Sequence, residues 1–461
     1  MEIAEIEALL GTPEELIKKV QSTKTSSNIA VYQAQYDPKK HDITSTAKRP
    51  DKTVVDASGS SSLVTVARLP IPFQKKIVAL AAAFLCGNPI QLSASPVDKS
   101  ETDFLAILKR VWKDNKLDYE SKTLAKLMMS ETEVAEVWYS EAIEEGYWKG
   151  TVNDTTSVKS RLRMKILAAK FGDSLYPVFN TMGDMIAFGR GYSVSVGDKL
   201  EEHFDLYSDK SILKMVKTDA GWAVTPETHV FGKIPVIYYS QDAPEWNDVQ
   251  EMIDRLEKLI SNHADTNDYF VSPMVVVEGE IEGFSKKGEQ GKVLELKNGA
   301  KANYLTWDQS PESLKLEYHN LRSLIFDMTD TPDISIEQMK ALGTYSGIAL
   351  KMLFLGAHLK AADKEEIFGK GIQRRINFIK AALASINTAH EKLTSMLIEP
   401  KFEYYLPKNH QELVEMLSTA TQAKPILSQK SAVALNPLVQ NPELEMEQIE
   451  EEGLNTEMDT I

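Results

Sequence analysis

Apolar residues recur every three or four positions from Trp246 onward, a spacing that predicts a helix with one apolar stripe. Asp242 and Glu245 have the spacing of a capping box and Pro244 lies in the first turn, so we expect the helix to start there. Charged residues between 251 and 258 lie on the opposite face, which we expect to be exposed. The stripe consists of Trp246, Val249, Ile253, Leu256 and Ile260.

A second helix is predicted from residue 310, where Ser-Pro-Glu precedes another apolar stripe. Between the two helices, runs at 274–278 and 292–296 favour strands and are separated by glycines. A small β module is therefore expected at the end of a helical hairpin. The second stripe consists of Leu314, Tyr318, Leu321, Leu324 and Ile325.

The remaining C-terminal part is predicted to be largely helical. Apolar periodicity extends from residue 348 to about 398, and Gly369 and Gly371 are expected to kink this long helix. One further helix is predicted at 411–422. From Pro442 the chain is acidic and lacks Lys and Arg, so we expect a mobile tail.

The N-terminal half combines helices with an antiparallel sheet. Residues 22–62 are rich in Ser, Thr, Lys and Pro and predict loops or an extended arm. β-branched and aromatic runs between 176 and 239, separated by Gly, Asp and Asn, predict an antiparallel meander. Helices are predicted at 72–86, 101–115 and 121–142.

The composition is that of a globular protein. The 461 residues include 52 Lys and Arg and 67 Asp and Glu, and the net charge of −15 argues against nucleic-acid binding over the whole surface. A hydrophobic fraction of 43% excludes collagen, coiled-coil rods and wholesale disorder. The length alone suggests about three domains. The single cysteine, Cys86, excludes a disulfide framework and fits a reducing compartment.

Export and membrane signals are not expected. Residues 1–10 carry glutamates where a signal peptide has a basic start, and the most apolar run, 77–86, is about half a membrane span. We therefore expect a protein made and kept in the cytosol, or in a particle assembled there.

Few residues have the spacing of a catalytic, nucleotide-binding or metal site. Residues 283–288 have the glycine spacing of a phosphate loop, but Glu289 and Gln290 follow where Lys and Ser or Thr are required. His263 and Asp265 come nearest to a metal pair, and two ligands make a weak site. The sequence therefore predicts no enzyme, no cofactor and no metal.

Several runs resemble the portal proteins of tailed bacteriophages, in the large siphovirus-type family. They occur in the family's order between about residues 234 and 380. The runs are PVIYYSQ at 235–241, PEWNDVQ at 244–250, SNHADTNDYF at 261–270, YLTWDQ at 304–309, TDTPD at 329–333 and Ser346-Gly347, continuing into the helix at 348–364.

The resemblance implies an α+β portal-protein fold. Its parts are a helical stem, a small α/β clip, a mixed wing with antiparallel strands and a long kinked helix, and a helical crown. In chain order they correspond to the wing at 1–240, the first stem helix at 241–268, the clip at 269–308, the second stem helix at 309–329, the tunnel-loop region at 330–347, the long wing helix at 348–400, and the crown with its acidic tail at 401–461.

The resemblance also implies a ring, usually a dodecamer, at one vertex of the capsid. Terminase would drive DNA through the ring's channel during packaging, DNA would leave through it at ejection, and the ring would carry the head–tail connection. The implied location is the virion, assembled in the host cytoplasm, with no membrane and no cofactor. The implied partners are further copies of the chain, double-stranded DNA, the terminase large subunit, the major capsid and scaffolding proteins, and a head–tail adaptor.

Basic residues in these parts are candidates for functional contacts, although each also fits a solvated face or an ion pair. The DNA-facing candidates on the tunnel loop and the second stem helix are Lys340, Thr344, Lys315 and Arg322. The clip candidates for terminase or adaptor contact are Lys286, Lys287 and Lys292. The long helix carries Arg374, Arg375 and Lys380, which fit a solvated face or an ion pair between subunits.

Another ring-forming virion component, such as a head–tail adaptor, is the alternative. Adaptors are generally much shorter than this chain and lack a β module between two long helices. A cytosolic nucleic-acid enzyme is a third interpretation, which the missing phosphate loop and metal-ligand pattern oppose.

Overall fold

The computed structural model describes most of the chain. It covers residues 2–24, 28–55, 59–144, 146–155, 157–270, 274–278, 281–284, 294–296, 301–305, 311–334, 352, 354–404, 410–422, 425–436, 438–439 and 441–458. The helices are α1 (Ile3–Ala8), α2 (Pro13–Ser22), α3 (Ile29–Tyr36), α4 (Phe73–Cys86), α5 (Lys99–Asp114), α6 (Leu117–Glu131), α7 (Gln250–Phe270), α8 (Pro311–Met328), α9 (Leu355–Ile386), α10 (His410–Thr421), α11 (Gln429–Leu435) and α12 (Pro442–Met458). The strands are β1 (Lys52–Val55), β2 (Ser61–Val64), β3 (Gln91–Ser93), β4 (Glu133–Ala142), β5 (Ser160–Leu167), β6 (Ser174–Phe179), β7 (Met185–Val196), β8 (Lys199–Tyr207), β9 (Ser211–Thr218), β10 (Gly221–Thr228), β11 (Val236–Ser240), β12 (Met274–Glu278), β13 (Ile281–Phe284), β14 (Leu294–Leu296), β15 (Lys301–Leu305) and β16 (Glu399–Lys401).

Two compact units make up the chain. The first combines Met1–Ile334 with Gly356–Tyr404 and contains the numbered strands, α1 to α8 and nearly all of α9. The second combines Ser335–Leu355 with Tyr405–Ile461 and contains α10 to α12. The mixture of helices with antiparallel sheets confirms the α+β class.

The core of the first unit forms where α4, α5 and α6 pack with α9 and the start of α7. Helical spacing places the apolar residues of each helix on one inner face, as the sequence predicts. The fully buried members include Ile77, Phe104, Met128, Ile253 and Ile376.

A charged pair lies inside this core. Arg375 on α9 donates to the Glu136 carboxylate on β4 at 2.6 Å and to the Ser121 hydroxyl at 2.8 Å, and neither Arg375 nor Glu136 has any exposed surface. The Tyr239 hydroxyl donates to the same carboxylate at 3.3 Å. The interpretation of Arg375 as part of a solvated face or of an ion pair between subunits is therefore wrong.

Two antiparallel sheets occupy the middle of the first unit. The predicted meander is confirmed for the strand order β10-β9-β8-β7-β6, but β11 leaves it and joins β4 and β5 in a three-stranded sheet. The predicted helix at 121–142 is wrong in its second half, because Thr132 takes a left-handed conformation (φ 67°) and β4 follows. Residues 133–138 are all buried in β4, the central strand of this sheet, and half of them are β-branched or aromatic.

The N-terminal region contains more regular structure than its composition predicts. The expectation of loops at 22–62 is wrong for α3 and for the β1–β2 hairpin, in which Lys52 pairs with Val64 and Val55 with Ser61. Residues 38–71, which begin with the 3-10 turn Pro38–Lys40 and include this hairpin, are called the N-terminal arm below.

Helix α7 begins later than the capping-box spacing predicts. A 3-10 turn spans Asn247–Val249, and α7 starts at Gln250. The Glu245 carboxylate is buried in ion pairs with Lys360 and Lys364 instead of capping a helix, so the capping-box prediction is wrong.

The long helix ends earlier than predicted. Helix α9 stops at Ile386, Asn387 is extended, and a 3-10 helix spans Thr388–Ser395. The helix continues through Gly369 and Gly371, and the kink expected there stays a prediction. The missing side chain at Gly371 leaves room for a tyrosine ring.

In the described part of the β module between α7 and α8, the predicted strands are confirmed as β12 and β14. Two strands that were not predicted, β15 and β13, pair with them to form two antiparallel pairs. The stretch expected to be a mobile tail forms α12, because its many Glu, Leu and Met residues favour helix and Glu443 and Glu445 lie in the first turn. Within the described ranges, no helix is long and apolar enough to cross a bilayer.

Candidate functional site

Helix α7 is the centre of the candidate site. Its predicted apolar stripe is confirmed, since Trp246, Val249, Ile253 and Leu256 are fully buried. The Trp246 ring stacks on Tyr36 with ring centroids 5.6 Å apart, and its indole N–H donates to the Gln35 side-chain oxygen at 3.0 Å. The stripe thus packs against the core on one side and reaches α3 on the other.

The N-terminal arm covers a polar face of α7. Glu257, Ser261 and Asp265 are spaced by four residues and share that face. The backbone amide of Ile71 donates to Glu257 at 2.7 Å, that of Leu69 to Ser261 at 3.0 Å, and that of Ala67 to Asp265 at 2.5 Å. The expectation that the charged face is exposed is therefore wrong at Glu257, which is 1% exposed.

Two arginines hold the arm in place. Arg49 donates to Asp265 at 2.8 Å and to the Ala67 carbonyl at 2.8 Å. Arg68 donates to Asp51 at 2.7 Å, and this pair encloses the root of the β1–β2 hairpin. Asp265 is thus fully engaged with the arm, which makes it unsuitable as half of the metal pair considered with His263.

A buried histidine joins the arm to α7. His41 Nδ1 lies 2.6 Å from Glu257 Oε1, and Nε2 lies 2.7 Å from the Gln35 carbonyl oxygen. A carboxylate and a carbonyl oxygen both accept hydrogen bonds, so this geometry favours the imidazolium form, in which both ring nitrogens donate. Burial acts to lower the pKa of His41, but the Glu257 carboxylate, with smaller contributions from the Gln35 carbonyl and Asp254, more than offsets this, so the pKa lies above its ordinary value.

The stability that His41 contributes should be lost as pH rises. Because its pKa in the folded protein is raised, this contribution is complete below about pH 6.5 and disappears as pH passes through the folded-state pKa. The difference in free energy of unfolding between the wild type and His41→Gln, measured by urea titration, should shrink with pH by up to about 1.4 kcal/mol per unit in that window. The exposed His319→Gln variant is the control, and a difference that stays constant from about pH 6 to 9 would contradict the assignment.

The DNA-facing candidates on α8 have unlike surroundings. Arg322 pairs with Asp333 at 2.8 Å and lies 5.5 Å from the Phe326 ring centroid, so its guanidinium is already occupied. Lys315 is exposed. Lys340 and Thr344, and the clip candidates Lys286, Lys287 and Lys292, lie outside the described residues.

The basic residues of α9 also differ in whether they are exposed or buried. Arg374 is exposed, whereas Lys380 is buried and donates to the Met396 carbonyl at 2.8 Å. Burial lowers the pKa of Lys380. Lys380 therefore belongs to the core and not to a solvated face.

A cleft of about 570 Å³ lies at the base of α7 and α8, beside the start of α9. In it Glu245 pairs with Lys360 at 2.9 Å and Lys364 at 2.8 Å, and Lys360 also donates to the Thr329 carbonyl at 2.8 Å. Burial acts to raise the pKa of Glu245, but the two ammonium groups more than offset it, so the pKa lies below its ordinary value. The cluster therefore links the segment before α7, the end of α8 and the start of α9.

Sequence reasoning missed this cluster. The available signal was the four-residue spacing of Lys360 and Lys364, which places both on one face of a helix. Their acidic partner comes more than a hundred residues earlier, where the capping-box spacing gave it a local role. Within the described ranges, no group of three or more His, Cys, Asp and Glu could hold a metal ion.

Comparisons with known proteins show which family the chain matches. A family model described as phage portal protein, SPP1 Gp6-like, matches residues 64–457. A chain from the neck of an empty GTA particle, computed with C6 symmetry, is similar at 12% identity and a TM-score of 0.40, over 80% of this chain and 90% of that one. A chain from the neck of a native GTA particle, computed with C12 symmetry, is similar at 12% identity and a TM-score of 0.38, over 78% and 88%. The search of curated proteins found no match.

Proposed function

The chain belongs to the SPP1 Gp6-like family of phage portal proteins, and we propose that it assembles into a ring at one vertex of a phage head. The family match, which extends over residues 64–457, is the observation that carries this proposal. The ring is a head-to-tail assembly, in which each copy contacts the next by a different surface and a fixed rotation closes the circle. We propose a dodecamer, the usual number in the family.

The channel of this ring is proposed to pass double-stranded DNA inward during packaging by terminase and outward at ejection. The outer face would bear the head–tail adaptor, and the capsid and scaffolding proteins would surround it. A net charge of −15 supports passage rather than tight binding, because each additional phosphate contact adds affinity and slows release. Lys340, Thr344 and the exposed Lys315 are the proposed DNA-facing side chains, with Arg322 the weakest of the four because it is paired.

Electron microscopy of the purified chain tests the proposal. Rings with a central hole are the expected result, and a stable monomer that hydrolyses nucleotides or cuts DNA would contradict it. Lys340→Asp and Lys315→Asp should leave the rings intact but lower the amount of DNA packaged or retained. Normal DNA-filled heads from either variant would remove that residue from the channel surface.

A further inference from the structure

Among the exposed apolar side chains of the described residues, two groups lie beside α7. One is the β1–β2 hairpin, in which Val54 is 49%, Val55 63%, Leu63 70% and Val64 47% exposed. The other is a ridge on α8 with spacings of eight and four residues, where Leu316 is 62%, Leu324 40% and Met328 62% exposed. Such clusters on a soluble protein usually mark contacts with another molecule.

The hairpin is firmly held at its root and uncovered beyond it. Asp51 accepts from Arg68 and from the Val66 amide at 3.2 Å, and Lys52 lies 3.7 Å from Asp265. From there each strand extends four residues, about 13 Å, and all eight strand residues are exposed. A two-stranded hairpin is marginally stable in water unless something packs against it, so this one is suited to a neighbouring surface.

The two surfaces flank α7 on different sides. Glu257 contacts the arm, whereas Arg255 pairs with Glu317 of α8 at 2.7 Å. Arg255 and Glu257 are two positions apart in the sequence, so their side chains leave the helix about 160° apart. The arm and α8 therefore lie on separate flanks of the same helix, and a row of copies placed side by side would bring the hairpin of one copy to α8 of the next.

The chain segments that carry the two surfaces have opposite net charges. The N-terminal arm, residues 38–71, has six Lys and Arg against three Asp, a net +3 in a chain of −15. Residues 311–330, which comprise α8 and the two residues after it, have four Asp and Glu against two Lys and Arg, a net −2. Opposite charge favours contact between the arm of one copy and α8 of another over contact between like surfaces.

We propose that the β1–β2 hairpin of one copy packs on the Leu316, Leu324 and Met328 ridge of α8 in the adjacent copy. The occupant of the ridge is thus a second copy of this chain, and the contact is heterologous, which is the type that closes a ring. The proposal rests on the ring put forward above and specifies which surfaces build it.

Disulfide trapping tests the contact in the full-length chain. A variant with Leu63→Cys and Leu324→Cys, oxidised mildly after assembly, should give a ladder of covalently linked subunits on a non-reducing gel. The native thiol should not interfere, because burial raises the pKa of Cys86 to about 12. The matched control pairs Leu324→Cys with Val97→Cys, since Val97 is 86% exposed and lies outside both surfaces, and it should give no ladder.

A charge at the hairpin gives a second measurement. Leu63→Asp should weaken association by at least about tenfold in sedimentation velocity, because it puts a carboxylate into an apolar contact, while Val97→Asp should not. Rings seen by microscopy without a ladder, or with unchanged association in Leu63→Asp, would overturn the hairpin contact and leave the portal function standing. A wild-type chain that forms no rings would overturn both.

Discussion

Replacing Arg375 by methionine is expected to destabilise the first unit by about 3–5 kcal/mol, the largest effect of any single change considered. The substitution removes the partner of Glu136 and leaves a carboxylate without a counter-ion in a site with no exposed surface. The Ser121 hydroxyl loses its hydrogen bond as well. Urea denaturation followed by tryptophan fluorescence measures the loss.

The neighbouring position provides the control. Arg374→Met changes an exposed residue on the same turn of α9 and should alter the free energy of unfolding by no more than about 0.5 kcal/mol. Removing both charges, with Glu136→Leu and Arg375→Met together, should recover most of the stability, because an apolar pair needs no counter-ion. Equal losses in the Arg374 and Arg375 variants would show that the buried pair does not stabilise the core.

Gly371→Ala is expected to destabilise the same core by about 1–3 kcal/mol. A Cβ at this position would lie 2.0 Å from Cε1 of the Tyr239 ring, which is buried and hydrogen-bonded to Glu136 and therefore cannot move aside freely. Thermal unfolding of the purified chain measures the effect. The same contact explains why a glycine stands inside a long helix, where alanine would otherwise be favoured.

Gly369, two residues earlier, is the matched control. A Cβ there would meet its nearest neighbours at 3.6 Å, an ordinary contact, so Gly369→Ala should stabilise the helix by about 0.5–1 kcal/mol. The two substitutions are chemically identical and should have opposite signs. If both substitutions change the unfolding temperature in the same direction, Gly371 is not required for close packing against the tyrosine ring.

The features that sequence predicted well are those set by local spacing. The stripe from Trp246 to Leu256 continues from the 3-10 turn into α7, and its local periodicity alone places these residues in the core. The strands β6 to β10 are likewise bounded by local turn signals. The two helices around the β module follow from the same kind of pattern.

The features that sequence could not predict depend on residues far apart in the chain. A carboxylate such as Glu257 has the same local pattern whether water or a segment more than two hundred residues away covers it. From its local sequence, Arg375 is predicted to lie on a charged helix face. Its burial follows only from the pairing with Glu136 on β4, which is distant in the chain. The positions of the DNA-facing candidates come from the family resemblance, and their contacts with DNA stay predictions.

During synthesis of the protein, the contacts between the arm and α7 can form only after a delay. His41 and Glu257 are separated by 216 residues, so at about 5–20 residues per second the ribosome adds the partner roughly 10–40 s after the histidine. During that interval the hairpin and the residues around it lack the helix they pack on. A nascent chain thus cannot form the contacts between the arm and α7 until more than half of it has been translated.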